Sequence, residues 1–379
     1  MNFNFTDEQQ LLADTVQRFV REHYSFEARH EILKSKEGWS REVWQELANL
    51  GITALNVPEQ HGGLGAGPVE TMLVMNALGA GLVLEPFLGS AVLAPALLTS
   101  LADDRVSAEL LPIIATGERI VIVAHEEAHA RGDLSNIATR AEQGKDGWIL
   151  DGSKSVVVHG DIADDFLITA RSRNDTAAHQ GVSVFRVPAT TEGLRIDRYR
   201  TFDGLSAADL HLQRVRVPAS NLVGAEGEGF AAIEVAHDIA LSALCAEAVG
   251  IMKAVNATTL EYSKNRKQFG QPIGRFQVLQ HRMADMFIHG EQATSMSYLA
   301  AIRCVDAGLA ERRRALAASK VIIGQAGRFI AQQAVQIHGG MGMTDEMMVS
   351  HHFKRLTAID LTLGDVDFHM QRFVAVANG

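Results

Sequence analysis

Three short stretches carry side chains whose types and order point to chemistry. His125-Glu126-Glu127-Ala128-His129 has the letters of a zinc-binding H-E-x-x-H run. That run works only on a helix, where both histidines share a face and the glutamate polarises a water. Here a β-branched segment, Ile120 to Val123, leads into it and Arg131-Gly132-Asp133 follows, so no helix is expected and no metal is assigned. The second stretch is Arg266-Lys267-Gln268-Phe269-Gly270-Gln271-Pro272-Ile273-Gly274, with Phe276 and Gln277 just beyond. The planar fork of Arg266 suits a diphosphate, and Phe269 suits an adenine or flavin ring. The plainer alternative is a basic last helical turn with Gly270 as left-handed cap, Pro272 as stop and Phe269 packed. The third, Gln336-Ile337-His338-Gly339-Gly340-Met341-Gly342, sets glycines that admit close backbone approach beside a glutamine that donates or accepts.

The elements that must position these residues fall into three regions, 1–118, 119–226 and 227–379. The first is helical: Thr6 with Glu8 and Gln9 reads as a helix start, and Leu12, Val16 and Val20 share a face. Further amphipathic stretches run over 42–50 and 70–78, with a Gly-rich loop at 61–67 between them. In the second region the period shortens toward two. Arg119 to Val123 is one strand, and Trp148 to Val158 reads as two strands around an Asp151-Gly152 turn. Strands at 166–170, 182–187 and 210–217 continue the series, which suggests an antiparallel sheet or barrel. The third region is helical again; 230–264, 277–306, 311–337 and a segment after Asp365 suffice for a four-helix bundle.

Composition narrows the setting. With 47% apolar and 21% charged residues the chain of 379 is globular, and a formal net charge of −10 argues against nucleic acid or an anionic membrane as main partner. Cys245 and Cys304 are too few for a disulfide framework, and the N-terminus shows no basic-then-apolar leader. The most apolar stretch, Leu78 to Leu98, is broken by Glu85, Pro86 and Pro95, short of the ~20 unbroken residues a span needs. A soluble cytoplasmic protein is the expectation.

Taken in this order, the second and third stretches resemble the acyl-CoA dehydrogenase family, whose pattern is R-K-x-F-G-x-x-I-x-x-F-Q and, downstream, Q-x-x-G-G-x-G. Leu55 to Gly63 is similar to the family's P-E-x-x-G-G loop, and Val215 to Gly224 to the linker closing its β domain, so the resemblance spans essentially the whole chain. It implies an α+β fold with an N-terminal helical domain, a middle β-barrel or sheet domain and a C-terminal four-helix bundle. It also implies FAD-dependent α,β-dehydrogenation of an acyl-CoA thioester: a carboxylate takes the α-proton and the β-hydride passes to flavin N5. Electrons would leave to an electron-transfer flavoprotein. In the family's tetramers, Arg266, Gln268, Phe269, Gln277, Gln336, Gly339 and Gly340 would touch the FAD of a neighbouring subunit.

The chain departs from the family at several positions. Counted back from Met370-Gln371-Arg372-Phe373, the base falls on Asp365, in Leu363-Gly364-Asp365-Val366-Asp367, where the family has glutamate in Tyr-Glu-Gly-Thr; matching the glycine to Gly364 instead puts Leu363 there and leaves no carboxylate. Read from the residues alone, Asp365 is the N-cap of a terminal helix. Asp238 matches a substrate-side aspartate, while Leu241 stands where an arginine is usual. Val156 and Val158 replace the tryptophan that shields the flavin and the threonine that bonds it, and Glu126 to Gly132 replace a Thr-Glu-Pro-Gly-rich loop. Two alternatives to a self-sufficient dehydrogenase therefore stand. One is a weakly active or non-catalytic partner subunit completing the FAD site of a paralogous chain, similar to small subunits of two-chain bacterial dehydrogenases of pimeloyl-CoA or steroid side-chain type. The other is a nitroalkane-oxidase-like flavoenzyme with an aspartate base.

Overall fold

The helix expected from Thr6 forms as α1 (Asp7–His23) with both halves of a capping box made: Gln9 N donates to Thr6 Oγ1 and Thr6 N to Gln9 Oε1. In this computed structural model residues 5–173 and 179–378 are described. After α1 come α2 (Phe26–Lys34), α3 (Arg41–Asn49), α4 (Pro68–Ala80), α5 (Ala94–Leu101) and α6 (Asp104–Ala115). The strands are β1 (Val121–Ala124), β2 (Arg140–Gln143), β3 (Gly147–Val158), β4 (Asp165–Arg171), β5 (Val182–Pro188), β6 (Leu194–Arg200), β7 (Ser206–Pro218) and β8 (Leu222–Val223). Then follow α7 (Phe230–Asn265), a ribbon of β9 (Lys267–Gln268) and β10 (Gln271–Pro272), α8 (Gln277–Arg303), α9 (Leu309–His338), α10 (Met348–Leu361) and α11 (Val366–Asn378). The order is helical, sheet, helical, the three-domain arrangement that the family resemblance implies.

By contacts the chain forms two compact units: Met1–Glu31, Pro68–Val83 and Leu241–Gly379 make one, Ile32–Gly67 and Leu84–Ala240 the other. In the second, an eight-stranded sheet runs β6-β7-β3-β2-β4-β5-β8, with β1 also on β4. Most neighbours are antiparallel, but β4 runs parallel to both β1 and β2, so the antiparallel expectation is corrected there. The Asp151-Gly152 pair is not a hairpin turn. It is a bulge inside the continuous strand β3: the register to β7 shifts between Leu150 and Gly152, and Asp151 Oδ1 accepts from Arg214 N at 2.7 Å. A Cβ on Gly152 would stand 2.7 Å from Thr139 Cα, which is why glycine sits there. Helices α5 and α6 bury Leu97, Leu110 and Ile114 against Val121, Leu167 and Val184 of the sheet, forming one dry core.

In the helical unit α9 packs against α8, α10 and α11, and α4 against α1 and α8. Helix α7 has a single glycine, Gly250, and its position has a cause: a Cβ there would lie 1.9 Å from Asn76 O of α4. Gly79 of α4 answers it, 2.3 Å by the same measure from Glu247 O. Paired glycines let the two helices approach backbone to backbone. The apolar stretch singled out from sequence is not the most membrane-like one. Among the described residues α7 alone is long and apolar enough to span, and 89% of its most apolar window is buried inside the protein, as in a core helix.

Candidate functional site

The Arg266 stretch is built differently from a capped helix end. Helix α7 stops at Asn265, and Arg266 opens the β9–β10 ribbon, with Gln268 paired to Gln271 and Lys267 to Pro272. Phe269 (φ 53°) and Gly270 (φ 79°) form its two-residue turn, both left-handed, as a type I′ hairpin requires. So Gly270 serves the hairpin rather than capping α7. The packed reading of Phe269 is also wrong: its ring is 91% exposed. A large apolar side chain held out in water on a strained backbone is a feature of ligand-facing surfaces rather than of packing. Arg266, Gln268 and Gln277 are exposed beside it, and Phe276 meets Phe269 edge-on at 6.1 Å.

The Gln336 stretch ends α9 at the same end of this unit. Tyr262, in the last turn of α7, stacks on His338 at 4.2 Å, and its hydroxyl donates to His338 O at 3.4 Å. Arg282 of α8 donates to Gln333 of α9 at 3.0 Å, which draws the start of α8 to the same place. Gln336, Gly339 and Gly340 are exposed. Gly339 has φ 62° and ψ −143°, a conformation nearly reserved for glycine, yet a Cβ on Gly339 or Gly340 would meet nothing within 4 Å. Packing does not require these two glycines. Open backbone beside Arg266, Gln268, Gln277 and an uncovered aromatic ring makes a cradle whose donors fit a dinucleotide such as FAD. His338 itself is buried; Nδ1 donates to Ala334 O at 2.9 Å, and burial holds its pKa below the ordinary value.

The H-E-x-x-H run lies in the loop after β1, and no α-helix forms there. Its side chains serve a buried ionic pin. Lys154 Nζ donates to Glu127 Oε1 (2.7 Å), His125 O (3.1 Å) and Thr169 Oγ1 (3.1 Å). Glu127 also accepts from Ala138 N and Thr139 N, tying the 125–139 loop to β3 and β4. Burial pulls the Lys154 pKa down to about 8 against the pull of Glu127, and burial with the Lys154 charge pulls His125 down to about 3. For Glu127, burial pushes upward, but Lys154 and the hydrogen bonds more than offset it and hold the carboxyl low. His129 is exposed, and among the described residues no group of three or more His, Cys, Asp or Glu is placed to hold a metal. Beside this loop Val156, at the position of the family's flavin-shielding tryptophan, is 55% exposed at φ 53°.

Asp365 sits at the N-terminus of α11 and caps it, Phe368 N donating to Oδ1 at 2.8 Å. Asp238 is buried on α7 next to His237 and near Glu234, and belongs to the sheet-bearing unit, whereas Asp365 belongs to the helical one. Two buried lysines, Lys154 and Lys320, escaped the sequence reading. For Lys320 the signal was a lone lysine in the mostly apolar run Ala317 to Ile323; Lys154, flanked by Ser153 and Ser155, gave none.

Comparison with known proteins follows this geometry. Residues 6–118, 123–215 and 227–375 match the profiles for acyl-CoA dehydrogenase N-terminal, middle and C-terminal domains. The chain is 28% identical over 388 residues to the probable acyl-CoA dehydrogenase YngJ of Bacillus subtilis (strain 168), covering 99% of this chain and 98% of that one. It is 31% identical over 292 residues to the mitochondrial isovaleryl-CoA dehydrogenase of Pongo abelii, covering 74% and 68%. Among solved structures it is similar to the ChsE4-ChsE5 complex from Mycobacterium tuberculosis, with TM-score 0.89, 25% identity, and 100% and 99% of the two chains covered.

Proposed function

Given that the chain belongs to the acyl-CoA dehydrogenase family, FAD-dependent oxidoreductases of this three-domain fold, we propose that it removes an α-proton and a β-hydride from an acyl-CoA thioester. The observation that carries this reading is the exposed cradle of Arg266, Gln268, Phe269, Gln277, Gln336, Gly339 and Gly340. In it Arg266 would grip the diphosphate, Phe269 would lie against a ring of the cofactor, and the open Gly339–Gly340 backbone would let the ligand come close. FAD, when bound, supplies the two-electron acceptor for the hydride. Asp365 takes the α-proton; the cap bond occupies Oδ1 and leaves Oδ2 for that proton. The family resemblance assigns Asp238 to the substrate side. An α-proton is too weakly acidic for a carboxylate unless the enolate oxygen is stabilised, so hydrogen-bond donors at the thioester carbonyl must carry much of the barrier reduction.

The cradle serves a neighbouring subunit in this proposal, which therefore includes an assembly. Exposed apolar residues Val278, Phe287 and Ile288 on α8 and Met370 and Val374 on α11 support a homo- or heterotetramer formed through the C-terminal helices. An electron-transfer flavoprotein is the acceptor proposed, and Cys245 and Cys304, buried and in no disulfide, suit a reducing cytoplasm.

A second reading is favoured by two observations: the Asp365 carboxylate is turned onto its own helix, and Val156 stands uncovered in the sheet unit. In that reading the chain completes the FAD site of a paralogous partner and contributes little chemistry. The visible spectrum of the purified protein separates the two. A flavin band near one FAD per subunit, with Asp365→Asn retaining FAD but no longer reduced by a thioester, supports the dehydrogenase. Colourless protein that acquires FAD only with a second chain supports the partner subunit.

A further inference from the structure

The turn between α10 and α11 is wrapped around a buried ammonium. Lys320, on α9, has no solvent exposure, and its Nζ donates to the backbone carbonyls of Asp360 (3.2 Å), Thr362 (2.6 Å) and Gly364 (2.6 Å). An ammonium has three donors and no acceptor, so this set uses all of them. The carbonyls come from the end of α10 and the residues just past it, where a helix leaves carbonyls without intrahelical partners and presents its negative end to a cation. His369, buried on α11, donates from Nε2 to the intervening carbonyl of Leu363 at 2.8 Å.

Such restraint is needed because the turn is strained. Leu363 (φ 57°) and Gly364 (φ 89°) are consecutive left-handed residues, and a leucine stays in that region only where its surroundings over-determine it. A Cβ on Gly364 would stand 2.5 Å from Phe368 Cδ1 and 2.9 Å from His369 Nε2. The next residue is Asp365, whose bond to Phe368 N fixes the start of α11 and the place of its own carboxylate together.

Volume alone does not explain a lysine here. Arg328 engages Oδ2 of Asp360, and among the described residues no carboxylate pairs with Lys320; burial lowers its pKa to about 8 while Cys245, Asp360 and Asp365 oppose. Methionine would fill the same space without the desolvation cost. What lysine alone adds is a set of three directed donors.

We propose that Lys320 is a positioning residue for the dehydrogenation: it holds the 360–364 backbone and thereby places the Asp365 carboxylate. The inference rests on the reading of Asp365 as the base. Lys320→Met removes all three donors; Lys320→Gln keeps an amide with two hydrogens and retains part of the cage should the methionine variant fail to fold. Two measurements are made on FAD-loaded enzyme and one without substrate: the rate of flavin reduction by isovaleryl-, butyryl- or glutaryl-CoA, the thioester KM, and amide exchange at Phe368. Lys320→Met is expected to slow reduction on the order of 100-fold, as a displacement near 1 Å does, with KM and FAD content unchanged and Phe368 exchanging faster. Lys320→Gln falls between. Unchanged Phe368 exchange, a parental reduction rate, or a loss carried by KM instead of the reduction rate overturns the proposal. An active Asp365→Asn single variant sinks the base reading as well, and that variant alone reveals it.

Discussion

Replacing Phe269 with asparagine should raise the stability of the apoprotein and weaken its hold on FAD. The two effects have separate origins in the hairpin. A left-handed backbone costs an ordinary side chain ~1–2 kcal/mol, and Phe269 pays it at φ 53° ahead of Gly270; asparagine followed by glycine is the preferred pair in such a turn. Against that gain, the ring is 91% exposed, so only about a tenth of its roughly 200 Å² is lost burial, worth ~0.5 kcal/mol. The edge contact with Phe276 at 6.1 Å adds about 0.5 kcal/mol in so exposed a place. The net is a gain of up to ~1 kcal/mol, a rise in the thermal midpoint on the order of 1–2 °C. For FAD the sign reverses. Losing an aromatic platform under a planar ring costs ~1–3 kcal/mol, which is roughly a 5- to 150-fold rise in Kd. Thermal scans of the apoprotein and fluorescence titration with FAD read the two quantities. A lower midpoint with unchanged FAD affinity would refute the reasoning, because Phe269 would then be a packing residue after all.

Arg266→Ala should lower FAD retention through gel filtration, since it removes charge-assisted bonds to a diphosphate; retention equal to the parent would remove Arg266 from the cradle. Glu127→Gln leaves the Lys154 ammonium buried without its counter-charge and should destabilise the sheet unit by ~3–5 kcal/mol in thermal unfolding, while Glu127→Leu with Lys154→Met recovers part of the loss. Acid should unfold the helical unit early. Burial holds His352 at about 3 and His369 at about 4, both below the ordinary histidine value of about 6.5. The unfolded chain therefore binds more protons across that window, and stability falls as pH drops from about 6.5 toward 4, by up to ~1.4 kcal/mol per pH unit per group. His352→Gln should flatten the slope by one proton; a slope unchanged in midpoints taken over that range would contradict the assignment.

How far the sequence reached depended on where each determinant lies. Local determinants were legible. Thr6 and Gln9 are three residues apart and bond each other, and the Arg266–Gly274 and Gln336–Gly342 stretches keep the candidate cofactor residues contiguous. The Asp151-Gly152 pair misled because the same two residues serve a bulge as well as a turn, and the choice is made by β7 and Thr139, far away in sequence. Helix α10 was missed because it buries His351, His352 and Asp360, which breaks the apolar period. Lys154 and Lys320 were invisible for a related reason. Both take backbone carbonyls among their acceptors, Lys320 exclusively, and a carbonyl leaves no trace in residue type; those on Lys320 lie 40–44 residues away. The cap at Asp365 was readable from its own neighbours, but the cage that sets its position was not.

The most direct measurement is an anaerobic titration of the FAD-loaded protein with α,β-saturated thioesters, following the oxidised-flavin band. Straight-chain, branched, dicarboxylic and steroid side-chain CoA esters form the panel. Loss of the band with at least one of them, with formation of the matching enoyl-CoA and none of this in Asp365→Asn, is the expected result. A bound flavin that stays oxidised with every thioester, yet is reduced once a paralogous chain is added, would contradict the dehydrogenase assignment and leave this chain as a partner subunit.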